Sequence, residues 1–320
     1  RQRIELQIRT SRMHEIAELA DECTVFRNGR SIESFAAGSK TDQQMVELMI
    51  GREYTNAFPE KSVLPVTASP VLSCHGLTWG DRLNNISFEI SPGEIVGIGG
   101  LDGQGQRELL LALFGVLRDL RGEIRIDGQP AILNDPRDAI NASASMVLIP
   151  EDRKTEGLML PMSVKENLSA AALGRISRFG VIDPGKEARE VDAMVKLLAI
   201  KTADTGLPVS SLSGGNQQKV VIAKWLMNRP RIILLNDPTR GIDVGTKQEI
   251  YQLLRKLADE GAAILYYSTD YDELVGCCNR VLVMYDGAII RSLEGNDISE
   301  AALVGAALNM NLESGQGGTP

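Results

Sequence analysis

Three stretches carry residues whose types and spacing could do phosphate chemistry. The first, GGLDGQGQRELL from Gly99 to Leu110, lies between an apolar run, EIVGIGG, and LLLALFG. Strand, glycine-rich turn and helix are the setting of a phosphate-binding loop, whose backbone N–H groups and helix N-terminus face an anion. The Lys expected after the last glycine is Gln106, and the Ser or Thr expected next is Arg107. The second stretch is LSGGNQQK, Leu212 to Lys219. Its glycines let the backbone approach a ligand closely, and the helix start after them offers free N–H groups. The third, RIILLNDPTRGID, is an apolar strand ending in polar groups, where a metal and an attacking water would be handled.

Elements must hold these stretches in place. ASMVLIP, RIILLND and AAILYYSTD are apolar runs beside helical segments, the pattern of buried parallel strands. PVLSCHGLTWGDRLNNISFEI suggests short strands, and GEIRIDGQPAIL a hairpin turning at Asp127-Gly128. MSVKENLSAAAL carries a capping box, Ser163 with Glu166, and is expected to open a helical stretch reaching about Leu198. An ungapped repeat sets the larger layout. Glu15–Gly29, EIAELADECTVFRNG, aligns with Glu273–Gly287, ELVGCCNRVLVMYDG, at an offset of 258 residues. A period of that size is a whole-domain repeat. Residues 1–50 then read as the carboxyl-terminal remnant of a first domain, 51–70 as a proline-containing linker, 71–312 as a complete second domain and 313–320 as a disordered tail.

Composition excludes several classes. The 320 residues carry a formal charge of −8, against nucleic-acid binding, which needs a basic face. The four cysteines form no CxxC pair, which suits a reducing compartment, and the two histidines, His14 and His75, are too far apart in sequence to suggest a metal cluster. No apolar run reaches membrane-span length and no signal-peptide pattern opens the chain.

GLDGQGQREL, IPEDRKTEGL, LSGGNQQK and NDPTRGIDVGTKQEIY, together and in order, resemble the ATP-binding subunits of bacterial ABC transporters that import monosaccharides. The resemblance covers residues 11–312, and in that class two cassettes are fused in one polypeptide. It implies an α/β fold: a P-loop NTPase cassette with a RecA-like core, an antiparallel β subdomain and a helical subdomain. It implies ATP and Mg2+ as ligands, with Gly100, Gly103, Gly105, Gln106 and Arg107 forming the phosphate loop. The metal-linked Asp is matched by Asn236, the water-polarising Glu by Asp237, the metal-sensing Gln by Glu151 and the γ-phosphate His by Thr269. Trp79 stands where an aromatic stacks on adenine, although a core or surface Trp is an equal reading. In the remnant, the His position is Ser11.

These departures share a consequence. Arg107 cannot ligate a cation, Asn236 offers an oxygen without charge, and the loop Lys is gone. Arg107, one helical position on, is expected to point away from the phosphates. The loop is therefore expected to hydrolyse ATP poorly. In the family two cassettes meet head to tail, so Ser213, Gly214 and Gly215 would complete the site of a partner cassette, with Asp243 in the family's D-loop position. The resemblance also implies membrane-spanning permease subunits, an extracytoplasmic sugar-binding protein, a complete first cassette and a peripheral place on the cytoplasmic face of the inner membrane. A truncated or frameshifted reading frame, or a chosen boundary, would explain the missing first cassette. Two other functions compete: a nucleotide-binding regulatory module without ATPase activity, and a soluble ABC ATPase acting on DNA or ribosomes, which the acidic charge disfavours.

Overall fold

The computed structural model describes residues 21–27, 30–41, 44–45, 48, 58–62 and 69–310. Ser11, most of the linker and the tail lie outside the described residues. In chain order the strands are β1 (Glu22–Arg27), β2 (Arg30–Ala36), β3 (Leu72–Trp79), β4 (Leu83–Ile90), β5 (Ile95–Gly99), β6 (Arg121–Ile126), β7 (Gln129–Pro130), β8 (Met146–Ile149), β9 (Ser177–Arg178), β10 (Val181–Ile182), β11 (Ile232–Asn236), β12 (Ala263–Tyr267), β13 (Arg280–Tyr285) and β14 (Ala288–Glu294). The helices are α1 (Gln106–Leu113), α2 (Pro136–Asn141), α3 (Val164–Ala170), α4 (Leu173–Ile176), α5 (Pro184–Leu197), α6 (Gly214–Leu226), α7 (Val244–Asp259), α8 (Tyr271–Cys277) and α9 (Glu300–Ala307).

The central sheet has six strands in the order β14-β13-β5-β12-β11-β8, parallel throughout except for β14. Its strands are apolar on both faces because each face is covered. Ile233, Leu235, Ile264 and Tyr266 point into a core shared with α3, α5, α6, α7, α8 and α9. Their neighbours Ile232, Leu234, Ala263 and Leu265 point into a second core, shared with α1, β3, β4 and β6. The period-2 alternation of a strand thus feeds two cores, and the sequence shows only a continuous run. Gly97 keeps the first face flat: a Cβ there would lie 2.9 Å from the Cys278 sulfur and 3.2 Å from Leu274. Cys74, Cys277 and Cys278 are all buried, and Cys23 is partly exposed.

The antiparallel sheet has the order β4-β3-β6-β7. Its β6–β7 turn is Asp127-Gly128, with φ of 51° and 74°, both left-handed, as a two-residue hairpin turn demands. The repeat found in the sequence has a backbone counterpart. β1 and β2 pair with a bulge between Val25 and Phe26. β13 and β14 pair with a bulge between Val283 and Met284, each position 258 residues on.

The stretch after Ser163 departs from the expected continuous helix. The capping box forms as expected: the Ser163 Oγ accepts from Glu166 N at 3.1 Å, and Glu166 accepts from Ser163 N at 2.8 Å. But α3 gives way to the short α4 and the β9–β10 hairpin before α5 begins. The break is local chemistry. Phe179 and Gly180 take φ of 52° and 79°, and Asp183-Pro184 restarts the helix, Asp183 accepting from Lys186 N at 3.0 Å.

Candidate nucleotide site

β5 delivers the chain into the phosphate loop at the carboxyl edge of the parallel sheet, where ligands of open α/β sheets bind. Gly100, Gly103 and Gly105 take φ of 129°, 84° and 104°. Gly105 is required twice over, because a Cβ there would also lie 2.5 Å from the Arg82 carbonyl oxygen. Gln106 then starts α1 and is 1% exposed. Its Nε2 donates to Leu101 O at 2.8 Å, and its Oε1 accepts from Gln104 N at 2.9 Å. The carboxamide therefore spans the loop from the inside and occupies one N–H that an anion would use. Outside, Asp286 N donates to Gln104 Oε1 at 2.6 Å, and the Tyr271 hydroxyl donates to Gly100 O at 3.3 Å.

Arg107, expected to point away from the phosphates, is held by carboxylates from the segment after β8. Its Nη2 donates to Glu156 at 2.6 Å, and its Nη1 lies 4.0 Å from Glu151. The hydrogen bond to Glu156 holds the guanidinium proton more firmly than usual. Glu151, just beyond β8, is also bonded by Arg240, from the loop after β11. A chain of alternating charges, Arg240–Glu151–Arg107–Glu156, thus joins three elements at the mouth of the loop.

β11 ends in Asn236 and Asp237, which are 4% and 2% exposed. The Asn236 Oδ1 is buried without a hydrogen-bond partner. Asp237 takes φ of 44°, and its carboxylate accepts from the Thr269 hydroxyl at 2.7 Å. Burial pushes the Asp237 carboxyl above its ordinary pKa despite that bond, so its ionised form costs more to bury and the group holds a proton more firmly than an exposed Asp. Asp237 and Thr269, matched to the water-polarising Glu and the γ-phosphate His, lie side by side, and they satisfy each other.

Behind this pair lies a residue that sequence reasoning missed. Glu273, on α8 and 1% exposed, accepts from Thr239 (2.7 and 2.6 Å), Lys247 (2.7 Å), Tyr251 (2.7 Å), Ser268 (2.8 Å) and the Tyr266 hydroxyl. Burial alone would raise its pKa. The Lys247 ammonium and the converging hydrogen bonds outweigh burial and hold it below the ordinary glutamate value. Glu273 thereby ties the loop after β11, through Thr239, to the loop after β12, through Ser268. A signal existed: Glu273 matches Glu15 in the repeat.

The second stretch opens α6. Ser213 caps α6, its Oγ accepting from Asn216 N at 3.5 Å and also from Asn216 Nδ2 at 2.9 Å. Gly215 packs on the start of α7, where a Cβ would meet Thr246 Oγ1 at 2.5 Å and Asp243 Oδ2 at 3.0 Å. The Arg153 guanidinium lies over Gly214, 3.0 Å from where a Cβ would sit. Its Nε is buried and has no partner. EDRK and LSGG, separate in sequence, are neighbours here. Trp79 packs against the second core, and its Nε1 donates to Arg118 O at 2.9 Å.

The family model for ABC transporters matches residues 83–240, from β4 through the phosphate loop and α6 to Arg240. The chain carries an ATP-binding cassette of the ABC transporter family. It is 74% identical over 299 residues to the ribose import ATP-binding protein RbsA 1 of Rhizobium johnstonii, covering 93% of this chain and 58% of that protein. It is 66% identical to the RbsA 1 protein of Mesorhizobium japonicum, covering 94% and 59%. The chain thus spans a little under three fifths of these curated relatives' length. Among solved structures, cbiO1 of Clostridium perfringens superposes on the cassette with a TM-score of 0.61 at 25% identity, covering 76% of this chain and 96% of that one. A dimeric cassette in a post-hydrolysis state bound to ADP and Pi superposes with a TM-score of 0.60 at 23% identity, covering 70% and 98%. The fold of the cassette is the expected one: a mostly parallel core, an antiparallel sheet and a helical region between β8 and β11.

Proposed function

We propose that this chain supplies the second cassette of the energy-coupling ATPase subunit of a ribose importer, and that its two phosphate-facing surfaces do different work. The relatives' import function supports the substrate, and with it a pair of permease subunits, an extracytoplasmic sugar-binding protein and a peripheral position on the cytoplasmic face of the inner membrane. No described helix is long and apolar enough to cross a membrane, which suits such a subunit.

The observation that carries the reading is the contrast between the two surfaces. At the phosphate loop, Gln106 bonds to the loop itself, Arg107 is held by carboxylates and Asp237 is held by Thr269. Hydrolysis needs charge neutralised at the phosphates and a base free to orient water. At the amino end of α6, by contrast, Gly214 lies under the Arg153 guanidinium, whose Nε is buried without a partner, and Ser213 caps the helix through Asn216 N. In a head-to-tail pair that end serves the ATP held by the first cassette, which residues 1–50 would terminate. Residues 51–70 would be the linker and 71–312 the second cassette.

The test is ATP turnover by a two-cassette protein assembled with its permease. Disabling the first cassette's phosphate loop should abolish turnover, and Gly214→Asp in this cassette should lower it by about tenfold or more. Turnover that survives loss of the first loop overturns the asymmetry. The self-bonded loop also favours a second reading, a regulatory nucleotide-binding module. Failure of the chain to co-purify with the permease pair would select it.

A further inference from the structure

The residues at the phosphate loop do not fit a magnesium ion. A magnesium site needs oxygen ligands carrying negative charge, in near-octahedral array. Here the position after the loop's Gln106 is a guanidinium, Asn236 is neutral, and Glu151 is already paired with Arg240 and faces Arg107. Among the described residues no group of three His, Cys, Asp or Glu is placed to hold a metal. One expected cation ligand has been replaced by a cation, Arg107, and another by a neutral amide, Asn236.

We propose that this site takes a metal-free nucleoside triphosphate, with the Arg107 guanidinium, assisted by Arg240, supplying the positive charge that a divalent ion supplies elsewhere. Arg107 sits on the first turn of α1, directly after the loop. Arg107 and its partners are partly solvated: its own side chain is 47% exposed, that of Glu156 39% and that of Glu151 27%. Ion pairs of that exposure are weak, so a guanidinium can leave them cheaply. A phosphate offers the same planar fork a stronger, doubly hydrogen-bonded partner. The carboxylates hold the two arginines at the mouth of the loop until an anion arrives. A triphosphate that came with its own divalent ion would bring like charge against two guanidinium groups.

The inference rests on the reading of this loop as a nucleotide site, and the experiment separates the two. ATP is titrated into the 320-residue chain by calorimetry, once with EDTA and once with millimolar Mg2+. The expected dissociation constant in EDTA is equal to or smaller than that in Mg2+. Arg107→Thr, which restores a hydroxyl ligand, should weaken binding in EDTA by about tenfold or more. It should also make binding stronger with Mg2+ than without. Arg107→Lys keeps the charge and should keep the indifference to metal, which guards against a variant that merely folds badly. Wild-type binding strengthened tenfold by Mg2+ overturns the proposal and leaves the nucleotide site standing, as does Arg107→Thr binding like wild type in EDTA. No binding in either medium overturns the nucleotide site itself.

Discussion

Asp237 shows how one residue's environment sets both its chemistry and its cost. Its carboxyl is desolvated at the end of β11 and faces Thr269, and its pKa is raised. The sign of the linkage follows. A raised folded-state pKa gives stability that is fully present below the ordinary Asp range and is lost as pH rises through the raised value. Wild type should therefore lose stability on going from acid toward neutral pH in a step that Asp237→Asn lacks. Asn tolerates the φ of 44° and can still accept from Thr269. The variant should melt higher at neutral pH, with each kcal/mol recovered worth about 2–4 °C in a domain of this size. The gain should vanish as the pH approaches 4, the ordinary Asp value. Thermal melts across that range are the check, and a gain that persists in acid would point to packing instead. Glu273 is the opposite case, a carboxylate buried ionised because Lys247 and several hydroxyls pay for it.

At the scale of elements, the phosphate loop was legible because its glycines do work that few other residues can do. Gly105→Ala should destabilise the cassette by about 2 kcal/mol or more, since φ is 104° and the new Cβ would meet the Arg82 carbonyl at 2.5 Å. Urea unfolding measures it, and a loss under about 0.5 kcal/mol would mean the loop relaxes freely. The parallel strands were equally legible, since both faces are buried and the apolar runs are unbroken. The break of the helical stretch at Phe179-Gly180 was missed. Helical periodicity before and after it is strong, and a two-residue turn leaves little trace in a window of that length. The partners of Arg107 were missed for a different reason. Glu151 and Glu156 come from a loop more than forty residues on, and sequence spacing says nothing of how such a loop folds back.

For the whole molecule, the loop before α1, where Gln106, Arg107 and Asp237 are bonded to neighbouring groups, and the start of α6, where Gly214 lies under Arg153, are carried by one scaffold with two cores. The repeat adds a second lesson in scale, because the same bulge at positions 258 apart was invisible as a bulge but visible as an ungapped alignment. The buried cysteines have a use of their own. Burial raises the pKa of Cys74, Cys277 and Cys278 well above the usual thiol value, and Cys278 lies under the strand containing Gly97. A thiolate is the species that reacts with iodoacetamide, so these three should stay silent while Cys23, partly exposed, is alkylated. Mass spectrometry of the native chain should find one modification, rising to four in denaturant. The three thiols are then a stopwatch: Cys74 lies in one core and Cys277 and Cys278 in the other, and their slow alkylation in dilute urea would time how often the cassette opens.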